Sequence, residues 1–454
     1  MNNIYTVILG AGEGTRMKSC LPKVLHKAAG KELISHVFES LAGIDSRKVF
    51  VVIGNGSDLV LDYLKKYKNV TAVLQKQRLG SGHALLQVRN KAKGLKGTLI
   101  VMCGDTPLVR KETLKSLLSY HLKNKNDATV LSGIVENPYG YGRILRDDKN
   151  NVAAIIEEKS ATKEQKLIKE INSGIYCFKL ENLWKALLKV KSDNAKKEYY
   201  LTDVISILNK SGYKTDAVSV CAMEELLGVN DRKQLAEADS ILRRRKLNQL
   251  MEDGVTIIDP QTTYIDGDAV ICQDTVIKPN TFIEGRVSIG SGCVIGPNSV
   301  VVDSKIADNV TIRYSYVDGA EIANNVKIGP FAHIRPGTVL KEKVKVGNFS
   351  EIKKSVIDEN SKVNHLSYIG DAVIGKNVNI GAGTITCNYD GKNKHQTILE
   401  DEVFVGSNVN LVAPVKIEKG VLIGAGSTIT KNVESGKLAI ARAKQIVINR
   451  RKRI

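Results

Sequence analysis

The feature that most constrains the fold is a six-residue repeat in the second half of the chain. From about residue 254 to 440, aliphatic side chains recur at every sixth position: Ile265, Ile271, Ile277, Ile283, Ile289, Ile295 and Val301, then Ile322, Ile328 and Ile334, and later Val405, Leu411, Ile417, Ile423 and Ile429. A hexapeptide period is typical of a parallel β-helix, in which one aliphatic side chain per short strand packs inward over the next coil. We therefore predict a parallel β-helix, interrupted by a polar insertion over 387–401.

The first 230 residues follow a different pattern, in which short β-branched runs alternate with longer helical stretches. We predict strands at 6–9, 48–53, 72–74 and 98–102, and helices at 32–42, 58–67, 83–91 and 111–124. This alternation is typical of a mostly parallel sheet with helices on both faces, and ligands of such sheets bind beyond the carboxyl ends of the strands.

A helix predicted over 231–251 joins the two halves, because apolar residues recur there near helical spacing. We therefore expect a first domain at 1–230, this linker helix, and a β-helix domain at 252–454. The basic run at 243–246 is interpreted as a solvated helix face, and the basic run at 450–453 as a solvated tail. An aromatic content of 5% offers no stacking platform for nucleic-acid bases.

The charge of the chain narrows the choice of partners. Its 454 residues include 67 Lys and Arg against 48 Asp and Glu, a net charge of +19, which suits nucleic acid, membrane headgroups or small phosphorylated substrates. No run reaches the roughly 18 apolar residues of a membrane helix, and no signal peptide is recognisable. The seven cysteines contain no Cys-x-x-Cys pair, so neither a disulfide framework nor a zinc site is expected, and we place the protein in the reducing cytoplasm.

A glycine-rich loop follows directly on the first predicted strand, in the segment Leu9-Gly10-Ala11-Gly12-Glu13-Gly14-Thr15-Arg16. Closely spaced glycines let backbone N–H groups approach phosphate oxygens or a base edge. Thr15 replaces the third glycine of the dinucleotide fingerprint, and no Walker A motif occurs in the sequence. Arg16 and Lys23 then supply two positive charges of the kind that phosphoryl transfer requires. Taken alone, the loop also fits a tight turn followed by exposed basic residues.

The order of motifs along the chain resembles that of the sugar-nucleotide pyrophosphorylases. The glycine loop is followed by Leu21-Pro22-Lys23, by Gln75 with Leu79-Gly80-Ser81-Gly82, and by Gly104-Asp105-Thr106-Pro107. With the hexapeptide half attached, the chain is identified as a member of the family of bifunctional bacterial N-acetylglucosamine-1-phosphate uridylyltransferase/glucosamine-1-phosphate N-acetyltransferases. The resemblance covers nearly the whole chain.

This resemblance implies a fold and a nucleotide site. The fold would be α/β, with an N-terminal Rossmann-like nucleotidyltransferase domain followed by a C-terminal left-handed parallel β-helix of hexapeptide repeats. The family's UTP and UDP-sugar contacts map to Leu9, Gly10, Ala11, Gly12, Lys23, Gln75, Gly80, Ser81, Gly142, Glu157, Asn172 and Asn230. Arg16 and Lys23 would be the catalytic cations at the phosphates, and Asp105 and Asn230 would hold Mg²⁺.

Asp105 has a second interpretation, and Glu13 departs from the family pattern. Without the resemblance, Asp105 is equally well interpreted as a cap at the end of a strand. Many family members carry Lys or Arg where this chain has Glu13, so a charge that would face the phosphates is reversed.

The resemblance also implies an acetyltransferase site on the β-helix. His365 matches the family's proposed general base, and an imidazole with a pKa of about 6.5 can accept a proton from an attacking amine at neutral pH. An isolated histidine there would otherwise be an ordinary surface residue. The sugar-phosphate contacts map to Arg335, Lys353, Tyr368 and Asn379, and the acetyl-CoA contacts to Ala382, Asn388, Tyr389, Ser407, Ala425 and Arg442. In this family the β-helices form trimers with acetyl-CoA between subunits, so a homotrimer is expected.

We therefore expect an enzyme that makes UDP-N-acetylglucosamine in two steps. The β-helix would transfer acetyl from acetyl-CoA to glucosamine 1-phosphate, and the first domain would transfer UMP from UTP to N-acetylglucosamine 1-phosphate with release of pyrophosphate. Two alternatives remain. One is a monofunctional nucleotidyltransferase whose β-helix is only structural, and the other is a nucleic-acid-binding or scaffold protein, whose binding would fall steeply with salt.

Overall fold

Two compact units make up the chain. The structure, a computed structural model, describes residues 3–54, 57–194, 197–220 and 222–448. Contacts divide the chain into Met1–Leu242 and Arg243–Ile454. Cys221 and the basic run at 450–453 lie outside the described residues.

The first unit alternates strands and helices, as its sequence pattern predicts. Its strands are β1 (Ile4–Leu9), β2 (Lys27–Ala28), β3 (Lys31–Glu32), β4 (Ser46–Ile53), β5 (Val70–Leu74), β6 (Thr98–Cys103), β7 (Ala128–Ile134), β8 (Arg143–Arg146), β9 (Val152–Ile156), β10 (Glu170–Lys179) and β11 (Thr215–Ser219). Its helices are α1 (Leu33–Ser40), α2 (Ser57–Leu64), α3 (Ser81–Val88), α4 (Lys111–Lys123), α5 (Lys163–Lys166), α6 (Leu180–Leu187) and α7 (Asp203–Lys210), with 3₁₀ turns at Thr15–Met17, Lys23–Leu25 and Met223–Leu226.

The large sheet of this unit has the strand order β11-β7-β10-β6-β1-β4-β5, and β8 joins β10 to β9. Strands β6, β1, β4 and β5 run parallel. Strand β10 runs antiparallel between β6 and β7, so the sheet is less parallel than the sequence suggests. Strands β1 and β6 end side by side at Leu9 and Cys103. The residues that follow these two strands therefore meet at one edge of the sheet.

Helices cover both faces of this sheet, as predicted. Helices α3, α6 and α7 pack over a cluster that contains Phe50 and Leu99. Helices α1, α2 and α4 pack over a second cluster that contains Ile8 and Ile100. All four of these strand residues are fully buried. A strand covered on both sides is apolar throughout, which is why the sequence shows continuous β-branched runs rather than alternation.

The division between the two units falls within helix α8 (Arg232–Glu252), whose bounds are close to the predicted span 231–251. Its Ala238 and Leu250 are buried, as their helical spacing suggests. Arg243, expected on a solvated face, instead donates to Asp266 at 3.0 Å and is only 18% exposed. This part of the prediction is wrong because a nearby carboxylate offers the guanidinium an ion pair.

The second unit is a stack of short parallel strands on three faces. The first face carries β12 (Thr256–Ile257), β15 (Val276–Ile277), β18 (Val294–Ile295), β21 (Thr311–Ile312), β24 (Lys327–Ile328), β27 (Lys345–Asn348), β30 (Lys362–His365), β33 (Asn379–Ile380), β36 (Phe404–Val405), β39 (Leu422–Ile423) and β41 (Leu438–Ala439). The second face carries β13 (Tyr264–Ile265), β16 (Phe282–Glu284), β19 (Val300–Val302), β22 (Tyr316–Asp318), β25 (His333–Ile334), β28 (Glu351–Lys353), β31 (Tyr368–Gly370), β34 (Ile385–Cys387), β37 (Asn410–Val412) and β40 (Thr428–Ile429). The third face carries β14 (Val270–Ile271), β17 (Ser288–Ile289), β20 (Lys305–Ile306), β23 (Glu321–Ile322), β26 (Val339–Leu340), β29 (Val356–Ile357), β32 (Ala372–Ile374), β35 (Thr397–Leu399) and β38 (Val415–Ile417).

The six-residue period has a direct structural cause. Through most of the stack, each strand pairs in parallel with the third strand further along the chain, so successive coils lie in register. Every aliphatic residue of the predicted series is buried in one continuous core. The polar insertion falls between β34 and β35, close to its predicted place, and includes a bridge between Tyr389 and Lys394. Within the described part of the chain, no helix combines the length and apolar character needed to cross a membrane.

Candidate active sites

A cavity of about 680 Å³ opens where β1 and β6 end. Most of the predicted nucleotide contacts line it: Leu9, Gly10, Ala11, Gly12, Arg16, Lys23, Gln75, Gly80, Ser81, Asp105 and Asn230. The structure therefore brings together residues that are up to 221 positions apart, between Leu9 and Asn230. We call this cavity the nucleotide pocket.

The glycine loop follows β1 directly and is anchored to β4, because Gly10 N–H donates to the Val52 carbonyl at 2.8 Å. A Cβ placed on Gly12 would meet no atom within 4 Å. Packing within the protein therefore does not require glycine at position 12. The space beside Gly12 belongs to the pocket, where a missing side chain lets a ligand approach the backbone.

Lys23, Asp105 and Asn230 meet at the floor of the nucleotide pocket. The Lys23 ammonium forms an ion pair with Asp105 and donates to Asn230 Oδ1 at 3.3 Å. The two side chains of the ion pair are only 12% and 19% exposed. Val229 N–H donates to the Asp105 carbonyl at 2.8 Å, which fixes the segment before α8 to the end of β6. This hydrogen bond explains how Asn230 reaches a carboxylate 125 positions earlier in the chain.

The oxygens at this floor suit a hard divalent cation. Asp105 and Asn230 both direct an oxygen at the Lys23 ammonium, so a positive charge is already favoured between them. Among the described residues, no cluster of three His, Cys, Asp or Glu side chains could hold a metal by itself. Mg²⁺ is commonly held by one or two protein oxygens together with substrate phosphates and water. The donor set present here fits that pattern.

Gln75 and Ser81 also line the pocket, where hydrogen bonds hold the segment between β5 and α3. Gln75 is 5% exposed, and its amide donates to the Gly80 carbonyl at 3.3 Å. Gly80 has a φ of 101°, and a Cβ there would lie 2.6 Å from the Tyr199 carbonyl oxygen. Ser81 Oγ accepts from Leu201 N–H at 3.1 Å. Glycine is therefore required at position 80 by backbone conformation and by close packing.

The three predicted sugar contacts lie beside the pocket rather than in its lining. Asn172 N–H donates to the Gly142 carbonyl at 2.9 Å, so β10 holds these two residues together. Glu157 accepts from Thr202 Oγ1 at 3.2 Å. Tyr176 accepts from the Asn172 amide at 2.8 Å, and burial, with nearby Glu157 and Cys103, raises the pKa of this phenol. Cys103 lines the pocket, so the group adjoins it.

Arg143 is a buried residue of this region that sequence reasoning missed. Its side chain is 1% exposed, and its guanidinium donates to Glu158 at 2.6 Å and to the Tyr141 carbonyl. Its backbone pairs with Ile156 on one side and Ile171 on the other. Arg143 therefore follows Gly142 directly, and its register partners Ile156 and Ile171 directly precede Glu157 and Asn172. The antiparallel pairing of β8 with β9 and with β10 brings these residues together.

His365 ends β30, on the first face of the β-helix, and is exposed. Its Nδ1 lies 3.1 Å from Oδ1 of Asn348, its register partner on the preceding coil. An amide oxygen can only accept, so this hydrogen bond places the imidazole proton on Nδ1 and leaves Nε2 as an acceptor. Asn348 was not predicted, although its position 17 residues before His365 matches the spacing of one coil.

Arg335 and Lys353 occupy equivalent positions on consecutive coils of the second face. They follow Ile334 and Ile352, which are register partners. Arg335 donates to Glu351 at 2.7 Å. Tyr368 lies on the next coil in register with Glu351. Arg335, Lys353 and Tyr368 are therefore brought together by the stacking of coils.

The insertion adds Lys394, a cation that sequence reasoning missed. The close approach of the Lys353 ammonium lowers the pKa of Lys394, and Asp371 and Tyr368 lie near enough to oppose that shift. Two ammonium groups held this close favour an anion between or beside them. No sequence signal marked Lys394, because the insertion interrupts the six-residue period.

The other predicted residues of the insertion differ in their surroundings. Asn388 is 6% exposed, and its amide donates to Asp371 at 2.5 Å. Tyr389 is 60% exposed and donates to the Gly391 carbonyl at 2.6 Å. Asn388 thus connects the base of the insertion to the coil that carries Tyr368, whereas Tyr389 faces solvent.

The predicted acetyl-CoA contacts Ala382, Ser407 and Ala425 lie at one corner of three consecutive coils. Each follows a glycine, and a Cβ on Gly381 or Gly406 would collide with the backbone of the next coil. Arg442 donates to the Ala425 carbonyl at 2.6 Å. The column of small residues leaves this corner open for an extended ligand. Asn379 lies on the first face instead, in a groove of about 620 Å³ with Lys327, Lys345 and Lys362.

Comparison with known proteins supports this architecture. The nucleotidyl transferase family matches residues 5–222, the bacterial transferase hexapeptide family matches 396–431, and the GMPPB C-terminal domain family matches 260–348 and 316–413. Among solved structures, UDP-glucose pyrophosphorylase complexed with UDP-glucose is 19% identical over 54% of this chain and all of its own, with a TM-score of 0.44.

Full-length relatives are much more similar. A protein of Halalkalibacterium halodurans named bifunctional protein GlmU is 49% identical over 445 residues, which cover 98% of this chain and 97% of the relative. Its namesake from Caldanaerobacter subterraneus subsp. tengcongensis is 52% identical over 98% of this chain and 96% of the relative. The namesake from Clostridioides difficile is 45% identical over the same shares of the two chains.

The fold and the two sites define a nucleotidyltransferase joined to a hexapeptide-repeat transferase, and the predicted fold class is confirmed. The chain belongs to the GlmU family of bifunctional proteins. It is a uridylyltransferase and an acetyltransferase that together form UDP-N-acetylglucosamine from glucosamine 1-phosphate, acetyl-CoA and UTP, as predicted. The two alternative interpretations are thereby set aside.

Proposed function

We propose that each activity is carried by the residues assigned above: uridylyl transfer by 1–230 and acetyl transfer by 252–454, with 231–251 as the linker. The observation that carries the first assignment is the meeting of Lys23, Asp105 and Asn230 at the floor of the nucleotide pocket. A phosphate oxygen of N-acetylglucosamine 1-phosphate attacks the α-phosphorus of UTP, and the bond to pyrophosphate breaks. Lys23 and Arg16 offset the charge that spreads over the phosphate oxygens.

Asp105 and Asn230 would hold Mg²⁺ in this site. The bound ion supplies positive charge to the phosphate oxygens of UTP. The glycine loop brings the backbone close to the nucleotide, Gln75 and Ser81 orient the uridine, and Gly142, Glu157 and Asn172 hold the sugar.

The metal assignment is tested by Asn230→Ala. This substitution removes one of the two protein oxygens that would bind the ion, so the affinity of the site for Mg²⁺ falls. We expect the Mg²⁺ concentration for half-maximal pyrophosphate release to rise about tenfold. Asn90→Ala, at an exposed position two residues after α3, serves as the control. An unchanged Mg²⁺ requirement in Asn230→Ala would remove Asn230 from the metal site.

The acetyl-transfer assignment rests on the His365–Asn348 pair. With its proton on Nδ1, His365 accepts a proton at Nε2 from the amino group of glucosamine 1-phosphate as the nitrogen attacks the thioester carbonyl. The new C–N bond forms, the C–S bond breaks, and the proton passes to the departing CoA thiolate. Arg335, Lys353 and Tyr368 bind the sugar phosphate from the second face, and Asn379 contacts it from the first face, which also carries His365. Acetyl-CoA is bound by Ala382, Asn388, Tyr389, Ser407, Ala425 and Arg442.

Lys394 belongs to the sugar-phosphate group, because it shares its surroundings with Lys353 and Tyr368. Lys394→Gln should raise the KM for glucosamine 1-phosphate about tenfold with little change in the KM for acetyl-CoA, since one phosphate-facing charge is lost. Lys392→Gln removes the same charge two residues away in the insertion and should leave both constants within twofold. Equal effects of the two variants would contradict a specific role for Lys394.

The chain would act as a homotrimer in the cytoplasm. A column of exposed apolar side chains, Tyr314, Phe331, Phe349 and Leu366, runs along the corner of the β-helix that leads to His365. Phe331 and Phe349 stack at 5.5 Å and are 55% and 59% exposed. Contiguous exposed apolar surface of this kind is typical of a subunit contact. The cysteines that the structure describes are all free thiols, which suits a reducing compartment.

The trimer is tested by light scattering coupled to size exclusion. The wild-type chain should elute at three times its mass of 49.6 kDa, and Phe331→Glu with Phe349→Glu should yield smaller species that have lost acetyl transfer and kept uridylyl transfer. Normal acetyl transfer in a monomeric double variant would show that the acetyltransferase site needs no second subunit.

A further inference from the structure

An ion pair spans the mouth of the nucleotide pocket, and neither of its members has been given a role above. Glu13 lies in the glycine loop, and Arg78 lies in the facing loop between Gln75 and Gly80. The Arg78 guanidinium donates to Glu13 Oε1. Both residues line the pocket together with Arg16 and Lys23.

The two members of the pair are covered to different extents. The Arg78 side chain is 22% exposed, whereas that of Glu13 is 58% exposed. Arg78 is thus largely enclosed at the pocket wall, and Glu13 reaches it from the solvent side. Ion pairs with an exposed member contribute little to folding stability. Stability therefore does not account for a second arginine in this pocket.

Four of the charged residues that line the pocket form two ion pairs. At the floor, Lys23 is paired with Asp105, next to Asn230. At the mouth, Arg78 is paired with Glu13. A nucleotide whose α-phosphate reacts at the floor has its β- and γ-phosphates free to extend along the glycine loop. Those two phosphates carry most of the negative charge of UTP and form the departing pyrophosphate.

We propose that Arg78 binds the β- and γ-phosphates of UTP, and that Glu13 pairs with Arg78 until the nucleotide displaces it. Glu13 accepts from Arg78 through Oε1, whereas a phosphate can accept two parallel hydrogen bonds from a guanidinium and the β- and γ-phosphates bring more negative charge than one exposed carboxylate. Glu13 replaces the positive charge that many family members carry at this position, and Arg78 supplies a positive charge from the facing loop instead. The inference rests on the proposed function, because it takes this pocket as the UTP site.

Arg78→Gln is the first test, made on the full-length enzyme with UTP and with pyrophosphate in the reverse reaction. We expect the KM for UTP and the KM for pyrophosphate to rise about tenfold, because one charge-assisted contact is lost. UDP-N-acetylglucosamine lacks the departing phosphates, so its KM should stay within twofold. Lys76→Gln is the matched control, because it removes the same charge from an exposed position of the same loop.

Glu13→Gln is the second test, and its expected effect has the opposite sign. Removal of the competing carboxylate should lower the KM for UTP about two- to fourfold. In the Arg78→Gln background, Glu13→Gln should have no effect, because no guanidinium remains for Glu13 to occupy. The fluorescence of Trp184, which lies in α6 of the same unit, reports in every variant whether that unit has folded.

Other outcomes would overturn the inference. These are an unchanged KM for UTP in Arg78→Gln, an equal rise in Lys76→Gln, a rise in Glu13→Gln, or an undiminished effect of Glu13→Gln when Arg78 is already replaced. Lys23→Met separates this failure from failure of the proposed function. If Lys23→Met keeps full uridylyl transfer, the pocket is not the UTP site. If it is inactive while Arg78→Gln is normal, only the role of Arg78 is wrong.

Discussion

The two units assemble their sites in opposite ways. In the first unit, residues far apart in sequence meet where strands end, so that Asn230 lies beside Asp105 through a single backbone hydrogen bond from Val229. In the β-helix, the site is assembled from positions one coil apart, such as Asn348 and His365.

This difference determines how far a disturbance spreads. Strands β1 and β6 contribute to the apolar clusters on both faces of the sheet and end at the pocket, so a defect in either cluster reaches that edge. A solenoid is nearly one-dimensional, and each coil contacts only its neighbours. We therefore expect the nucleotide pocket to respond to substitutions throughout its unit, and the acetyltransferase site only to those in adjacent coils.

The largest expected loss of stability comes from Ile→Ala substitutions in the core of the β-helix, one close to the acetyltransferase site and one far from it. Ile369→Ala and Ile289→Ala each remove a buried side chain from the stack, and each should lower the free energy of unfolding by about 3 to 4 kcal/mol. Only Ile369 lies on the coil of Tyr368, so only Ile369→Ala should also slow acetyl transfer. Calorimetry and thiol release from acetyl-CoA measure the two quantities. Equal loss of acetyl transfer in both variants would contradict local coupling.

Acid should destabilise the first unit through His121, which is 2% exposed. Burial lowers the pKa of His121 from 6.5 to about 4, with partial opposition from Asp127. Between these two pH values the unfolded chain binds more protons than the folded one, so the free energy of unfolding falls as pH drops from 6.5 to 4, by about 3 kcal/mol in total.

Trp184, the single tryptophan, lies in α6 and reports on this unit alone. Urea unfolding followed by its fluorescence should show the loss of stability, and His121→Gln should flatten the profile between pH 6.5 and 4. If the free energy of unfolding of His121→Gln falls with pH as steeply as that of the wild type, other titratable groups cause the loss of stability.

Gly12 and Gly347 have different surroundings, and Gly→Ala substitutions at these two positions separate a ligand-facing glycine from a packed one. A Cβ on Gly347 would collide with the carbonyl of Asn364, next to His365, so Gly347→Ala should cost about 2 kcal/mol and slow acetyl transfer. Gly12→Ala has open space and should leave stability unchanged while raising the KM for UTP several-fold. Thermal unfolding and both activity assays make the comparison. A loss of stability in Gly12→Ala would contradict a ligand-facing role.

The smallest expected effect is at the surface of the β-helix. Lys305 and Glu321 pair at 3.1 Å between adjacent coils, with side chains 76% and 62% exposed. A double-mutant cycle with Lys305→Ala and Glu321→Ala should give a coupling energy of under about 1 kcal/mol, because water and salt screen the pair. A larger coupling would show that charge pairs on this surface stabilise the stack.

The two units also differ in how much of their structure the sequence predicted. The six-residue period located the buried aliphatics of the β-helix because its contacts repeat at a fixed spacing. The contacts of Lys394 escaped prediction because the insertion breaks that period. In the first unit, the local sequence pattern predicted the helices and the parallel strands. It did not predict that β10 runs antiparallel, so the surroundings of Arg143 were not predicted either. The Glu13–Arg78 pair joins two loops 65 positions apart, and no local signal reports such a contact.

The claim that the chain carries two independent active sites is tested most directly by two single variants, each of which should lose a different activity. His365→Ala and Asp105→Asn are each assayed for thiol release from acetyl-CoA with glucosamine 1-phosphate, and for pyrophosphate release from UTP with N-acetylglucosamine 1-phosphate. We expect His365→Ala to lose acetyl transfer at least about 100-fold and keep uridylyl transfer, and Asp105→Asn to show the reverse. Loss of both activities in either variant, or of neither, would contradict two independent sites on one chain.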